Sequence, residues 1–408
     1  MRDGGRISAA IAVLGEIEAR HKTAKLALKA WGEGARYAGA KDRAFVSGLV
    51  LDVLRKRRSL AWMMGEESDR ARVLAALAHA WGWPAARIEA AAAEDHGPGA
   101  LSEAERTRLI TPVSLEAAPD AVRGDYPDWL DPAMARVFGD QRAAEGAALA
   151  TRAPVDVRVN TLKSDAVGVL KALAPFGPER LSATAIQIPA PAASERAAPI
   201  EVAPEFEMGW FEVQDLGSQI AAASAGDIRG LQVLDFCAGG GGKTLALAAL
   251  MENSGKLFAY DADARRLTDS VRRAQRAGVG NLEVRSPIHK DALDGLEARM
   301  DLVFVDAPCT GSGVWRRHPD AKWRLSPEQL ARRMGEQDKV LAAASAFVKL
   351  GGRLIYVTCS LFAEENEDRI EGFLSDHPDF APTAPFRRLT PLTDGTDGFF
   401  IASLSRSP

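Results

Sequence analysis

Cys309 and Cys359 each follow a short apolar run that reads as a β-strand, DLVFVD (301–306) and GRLIYVT (352–358). Strand tips are where loops carry function. Two thiols at neighbouring tips over one crevice are therefore poorly explained as packing, although a lone buried cysteine would be core filler. Asp306 stands three residues before Cys309. Two thiols and an acid suit one reaction. C5 of cytosine is a poor nucleophile, but a thiolate adding at C6 turns the ring into an enamine whose C5 can take a methyl group. A base must then remove the C5 proton so that the sulfur can leave, and an acid beside N3 would stabilise the adduct. The third cysteine, Cys237, ends another strand without partner chemistry and reads as structural. Three cysteines spread this widely do not form a disulfide framework.

A second set of residues points to a nucleoside. The run LQVLDF (231–236) leads straight into CAGGGGKT (237–244), glycines between a strand and a helix, where backbone can approach a ligand at a helix N-terminus. Two phosphate-binding motifs miss by one residue. A dinucleotide fingerprint beginning at Gly239 needs glycine where Thr244 stands, and a Walker A loop needs glycine where Cys237 stands. On these residues alone, a tight turn with no ligand stays open. Asp261 ends the next strand, placed to accept hydrogen bonds from two ribose hydroxyls; Asp291, in HKDAL, follows the third strand, placed for an adenine edge. Each could equally cap a helix. In a doubly wound sheet the carboxyl ends of the strands converge, so Gly239, Asp261 and Asp291 would share one crevice. That suits an adenosine ligand without a pyrophosphate, such as S-adenosylmethionine.

These residues need a scaffold, and the pattern supplies one. From residue 6 to about 93 apolar residues recur at helical spacing (Ile11, Leu14, Ile17; Phe45, Leu49, Val53; Val73, Leu74, Leu77), which predicts an all-α bundle. HGPGALSE (96–103) and PVSLEAAPD (112–120) hold the helix breakers of a linker. Residues 126–150 read as helical, VDVRVNTL (155–162) alternates like a strand, and the Pro/Ala-rich 187–205 reads as irregular. Thereafter strands and helices alternate: strands at 231–236, 256–261, 282–286, 301–306 and 352–358, helices at 243–252, 263–277, 327–349 and 364–376, and a closing strand at 398–406. The expectation is an α/β fold with a mostly parallel sheet covered on both faces, divided as 1–112, 125–205 and 206–408.

Composition bounds the partners. The chain has 408 residues, 51 Lys+Arg against 55 Asp+Glu, 47% hydrophobic and 26% charged residues, ordinary for a globular protein. A pI near 6.0 argues against a globally basic nucleic-acid coat but permits local patches. Two exist: residues 41–58 and 316–333 each carry six Lys/Arg against two acids. The six histidines lack metal-ligand spacing, so no metal is expected. Without an apolar span or leader, a cytoplasmic, unanchored monomer is expected.

Taken together, VQDLGSQ (213–219), CAGGGGKT, DAPCTGSG (306–313), RRHPDAKW (316–323), YVTCS (356–360), EEN (364–366) and DGFF (397–400) resemble the RsmB-like (Sun/Fmu-type) RNA 5-methylcytosine methyltransferases. The likeness implies a Rossmann-like class I methyltransferase domain behind a NusB-like RNA-binding bundle and a small α/β module. It implies Cys359 as the nucleophile, Cys309 as the residue of product release and Asp306 as the cytosine contact. S-adenosylmethionine would be held by Cys237, Ala238, Gly239, Gly240, Gly241, Gly242, Lys243, Asp261, Asp291 and Asp306. RNA, most naturally 16S rRNA, would be held by Lys243, Arg158, Arg316, Arg317, Lys322, Arg55 and Arg58. Two places depart from the family pattern: Gly239-Gly240-Gly241-Gly242-Lys243 stands where Ala-Pro-Gly-Gly-Lys is usual, and the lost proline loosens the unfolded loop, which is expected to weaken cofactor binding but removes no catalytic group; and CTGSG replaces CSGTG. Competing expectations are a tRNA substrate, an RNA-binding assembly factor without turnover, and an oxidoreductase, which would leave the cysteine pair unexplained.

Overall fold

Apolar residues three and four apart give the N-terminal part of the chain helices with one buried face. In the computed structural model, which describes residues 1–408, these are α1 (Asp3–Arg20), α2 (Ala24–Gly34), α3 (Ala40–Arg55), α4 (Arg57–Met64), α5 (Asp69–Ala75), α6 (Ala85–Ala92) and α7 (Glu103–Ile110). Ile7 and Leu14 of α1 share one core with Phe45, Leu49 and Val53 of α3 and with Val73 and Leu74 of α5. Side-chain caps set several starts: Thr23 for α2, Ser68 for α5, and a Ser102/Glu105 capping box for α7. Helix α4 follows Lys56, which offers no cap. The buried Asp125 supplies one instead, accepting from the amides of Arg58 and Ser59, each at 2.9 Å, and from the Ser59 hydroxyl at 2.7 Å.

That cap helps explain a regrouping. The helices α8 (Asp120–Arg123), α9 (Asp131–Phe138) and α10 (Arg142–Leu149), expected beside the small α/β module, belong to the bundle's unit. The chain divides into residues 1–153 with 190–197 and 314–325, and residues 154–189 with 198–313 and 326–408. Residues 314–325, including the short helix Pro319–Arg324, belong to the first unit although they interrupt the second in sequence.

The second unit holds two sheets. The smaller runs β2 (Glu179–Arg180), β3 (Ala185–Ile188), β1 (Val155–Val159), β4 (Phe211–Val213), all antiparallel, with α11 (Ala166–Ala172) packed on it. The Pro/Ala-rich stretch is less irregular than expected. Gln187 and Ile188 complete β3, and Ile200–Val202 and Pro204–Glu207 each form a helical turn, Pro204 taking the first position, where its missing N–H is harmless.

The larger sheet has the order β10 (Phe380–Pro382), β12 (Phe399–Arg406), β9 (Val348–Thr358), β8 (Met300–Asp306), β5 (Gln232–Asp235), β6 (Lys256–Tyr260), β7 (Leu282–Arg285), with β11 (Arg387–Leu389) also on β12. Strands β5 to β9 are parallel; β12 enters antiparallel to β9. Helices α12 (Leu216–Ala223), α13 (Gly242–Leu250), α14 (Ala264–Ala277), α15 (Pro327–Ser345) and α16 (Glu367–Asp376) accompany it, and two apolar clusters cover its faces. The order reverses between β6 and β8 on either side of β5, and ligands of such sheets bind at that switch, outside the strands' carboxyl ends. No helix is long and apolar enough to cross a membrane.

Candidate active site

Strands β8 and β9 lie side by side, Asp306 opposite Val357, so the residues that follow each strand emerge together. Cys309 and Cys359, 50 residues apart in sequence, bring their sulfurs to 3.3 Å, each half-buried. The thiol of Cys309 is pushed well above its ordinary range, first by the hydrogen bond shared with Cys359, then by burial and by the neighbouring charges of Cys359 and Glu365. Asp306 is a third exposed, and its carboxylate accepts from Lys243 Nζ at 2.7 Å. Burial works against the Lys243 ammonium, but Asp306 and then Cys359 outweigh it and hold its pKa above the usual lysine value. Lys243 stands in the first turn of α13, 5.2 Å from the Phe399 ring.

Backbone contacts fix the Cys359 loop. Gly313 N–H donates to the Cys359 carbonyl at 2.9 Å, and Gly398 N–H donates to the Gly313 carbonyl at 2.8 Å. The two glycines meet backbone to backbone: a Cβ on Gly313 would press on the Gly398 carbonyl and lie 2.7 Å from its Cα. This explains the glycines of DAPCTGSG and DGFF. Asn366 holds the other side, accepting from Thr358 Oγ1 at 2.6 Å and donating to the Ser360 carbonyl at 2.9 Å. Asn366, Gln337 and Glu365 are fully buried here. Sequence reasoning assigned them no role; EEN was visible as a motif, but nothing local says what it touches.

The loop Cys237–Gly242 joins β5 to α13, with Gly239 and Gly241 at φ +53° and +84°, conformations that favour glycine. A Cβ on Gly242 would meet nothing within 4 Å, so the start of α13 faces open space. Gly239 N–H donates to Asp261 at 2.8 Å, and Asp263 N–H donates to its other oxygen at 2.9 Å. Asp261 is therefore no helix cap; Asp263 caps α14. The third partner of Asp261 is Arg266 at 3.1 Å, a side chain 57% exposed and free to give way to two ribose hydroxyls. These residues fit the nucleoside end of S-adenosylmethionine. Asp291 stands exposed after β7, at the same end of the sheet. Cys237 packs with the core, its thiol pushed up by burial and by Asp235, Asp306 and Asp261.

The basic residues expected on RNA are placed otherwise. Lys322 is 1% exposed and donates to the Arg55 carbonyl at 2.7 Å. Arg55, also buried, donates to the Arg316 carbonyl at 3.0 Å and pairs with Asp52 at 2.7 Å. Arg316 is buried too. With Trp323 Nε1 on the Leu54 carbonyl at 2.6 Å, these contacts staple residues 314–325 to α3. Arg158 is buried in β1 against Gln214 at 2.6 Å, and burial lowers its pKa to about 10. The expectation that these four hold phosphates is corrected: a long basic side chain was read as solvent-facing, and here its charge is turned inward. Arg58 pairs with Asp128 at 2.6 Å and stays partly exposed, as does Arg317.

Comparison with known proteins agrees with this geometry. Residues 227–405 match the family described as 16S rRNA methyltransferase RsmB/F. Over 301 residues, 69% of this chain and 67% of the relative, the chain is 32% identical to the probable ribosomal RNA small subunit methyltransferase B of Synechocystis sp.. Over 401 residues, 90% of this chain and 91% of the relative, it is 30% identical to ribosomal RNA small subunit methyltransferase B of Erwinia tasmaniensis. Among solved structures, a methyltransferase homolog protein from Pyrococcus horikoshii aligns with TM-score 0.60 and 27% identity, covering 70% of this chain and 97% of that one. The chain belongs to the 16S rRNA methyltransferase RsmB/F family, Rossmann-like RNA methyltransferases that use S-adenosylmethionine.

Proposed function

We propose that this enzyme methylates C5 of a cytosine in RNA, with 16S rRNA as the substrate, through a covalent bond from Cys359 Sγ to C6 and with Cys309 assisting release. The observation that carries this reading is the pair of sulfurs 3.3 Å apart beside the Lys243–Asp306 ion pair. The names of the relatives support the ribosomal substrate. We read the helical unit that contains residues 1–112 as RNA-binding, the small antiparallel sheet as a linking module and the large sheet with its helices as the catalytic domain. S-adenosylmethionine, when bound, supplies the electrophilic methyl group.

The residues divide the remaining work. Cys359, attacking as the thiolate, bonds to C6 and leaves the former C5–C6 π pair at C5. Asp306, oriented by Lys243, meets the cytosine edge. Once C5 carries the methyl group, Cys309, having released its own proton to solvent, takes the C5 proton as the thiolate. The C5–H electrons reform the C5–C6 double bond, and the C6–S pair returns to Cys359. The order follows from the pair itself. Two sulfurs this close do not both ionise readily, and the causes that keep Cys309 protonated begin with its hydrogen bond to Cys359. Attack turns Cys359 into a neutral thioether and removes that cause, so Cys309 becomes more acidic when a base is needed.

The test pairs two variants with one sequencing experiment. Cys359→Ala abolishes methyl transfer while RNA binding survives; Cys309→Ala accumulates an enzyme–RNA adduct that runs slowly on a denaturing gel. Bisulfite sequencing of RNA from cells with and without the gene locates the modified cytosine. Turnover by Cys359→Ala would remove the nucleophile assignment.

A further inference from the structure

Glu365 is fully buried, yet no arginine or lysine pairs with it. Four donors converge on its two oxygens instead: Thr310 N–H and Gln337 Nε2 on Oε1, each at 2.9 Å, and the hydroxyls of Thr310 and Ser360 on Oε2. Four donors leave neither oxygen of this buried carboxyl unpartnered. The identity of the donors gives the arrangement its meaning. Thr310 follows Cys309 and Ser360 follows Cys359, so one side chain grips the residue next to each sulfur. Gln337 of α15 also donates to the Pro308 carbonyl at 2.9 Å, on the other side of Cys309.

We propose that Glu365 is the positioning residue that sets the spacing of the two cysteine sulfurs and so couples nucleophilic attack to product release. The inference rests on the roles proposed above for Cys359 and Cys309. Strand pairing brings β8 and β9 together, but it ends at Asp306 and Val357, before either cysteine. Beyond that point Gly313 and Ser312 tie the Cys309 loop to the Cys359 loop, and Glu365, Asn366 and Gln337 hold the residues beside the sulfurs. The Glu365 charge also helps to keep Cys309 protonated before attack. Replacing the carboxylate weakens the bridge between Thr310 and Ser360, so the sulfurs can shift against each other although the Gly313–Cys359 bond remains. A displacement of about 1 Å is enough to lower a rate about 100-fold.

The experiment compares wild type, Glu365→Gln, Thr310→Val and Cys309→Ala in the full-length protein. Two quantities are read. One is the rate at which dibromobimane, which fluoresces after alkylating two adjacent thiols, links Cys309 to Cys359, with the link mapped by peptide mass. The other is methyl transfer from labelled S-adenosylmethionine, with the covalent adduct followed on a denaturing gel. The expected result is slower linking in Glu365→Gln and Thr310→Val, a kcat about 100-fold lower in Glu365→Gln, adduct accumulating as it does in Cys309→Ala, and unchanged affinities for cofactor and RNA. Should Glu365→Gln fail to fold, Thr310→Val, which removes only the hydroxyl contact, decides with a smaller loss of the same kind. Wild-type linking and turnover in both variants would overturn the proposal, and so would activity lost through weakened cofactor or RNA binding without adduct. If Cys309→Ala itself forms no adduct, the release role fails, and the linking rate still reports on Glu365.

Discussion

Lys322→Met separates two readings of the basic segment that follows the Cys309 loop. The ammonium donates to the Arg55 carbonyl at 2.7 Å and faces the buried Asp125. Burial lowers its pKa from 10.5 to about 7, Asp125 offsetting only part of that and Arg55 adding to it. An unfolded chain holds this proton up to pH 10.5 and the folded chain only to about 7. Between those values the unfolded state binds more protons, so raising the pH favours folding. At about 1.4 kcal/mol per pH unit, the gap penalises the charged form by about 4–5 kcal/mol at pH 6 relative to pH 10.5. Methionine keeps the length and discards the charge. Urea unfolding followed by circular dichroism should find Lys322→Met as stable as wild type, or more so, at pH 6. At pH 9.5 it should be less stable by about 1–3 kcal/mol, because the Arg55 carbonyl has lost its donor. RNA affinity measured against salt supplies the second arm. An inward lysine leaves the slope unchanged, whereas loss of a phosphate contact lowers it by about 1. Equal destabilisation at both pH values, or a reduced salt slope, would refute the inward placement.

Gly313→Ala should destabilise the unit that holds the site by about 1–3 kcal/mol, since both sides of the Gly313–Gly398 contact are backbone; thermal unfolding and methyl transfer should fall together. Asp235 is held protonated by burial up to about pH 7, against 3.8 when unfolded, with its Thr244 bond opposing the rise. The folded state binds the extra proton between those values, so wild type loses stability as pH rises through them. Asp235→Asn, which keeps an acceptor for Thr244, should gain on wild type between pH 5 and 8 by about 2–3 kcal/mol in urea titrations. Lys243→Met removes the charge beside Cys359 and the partner of Asp306. Its kcat should fall by about 100-fold or more; wild-type turnover would show that the Lys243–Asp306 pair is not needed for methyl transfer.

Most strands of the large sheet were legible because a parallel strand buried on both faces is written as an uninterrupted apolar run. Strand β9 begins at Val348 rather than 352, with a register shift against β8 between Met300 and Leu302, and the three-residue strands β10 and β11 were not expected at all. The helical bundle was legible from its period, whereas the placement of residues 120–149 was not, since Asp125 caps a helix 67 residues earlier in sequence. Among the site residues, the cysteines and the glycine loop announced themselves by type and position. The arginines and lysine misled, because the same side chain can snorkel to water or donate to a buried carbonyl, and composition does not distinguish the two.

By itself, the sequence determined the elements and the chemistry available at each strand tip: two thiols, an acid, a lysine and a glycine turn. These are local properties, set by residue type, period and backbone permission. Only the tertiary structure decided which groups meet. The 3.3 Å between Cys309 and Cys359, the grip of Glu365 on both loops and the inward turn of Lys322 join residues 50, 55, 5 and 267 positions apart. Such contacts come from strand order and burial of a common core, which no window of sequence contains.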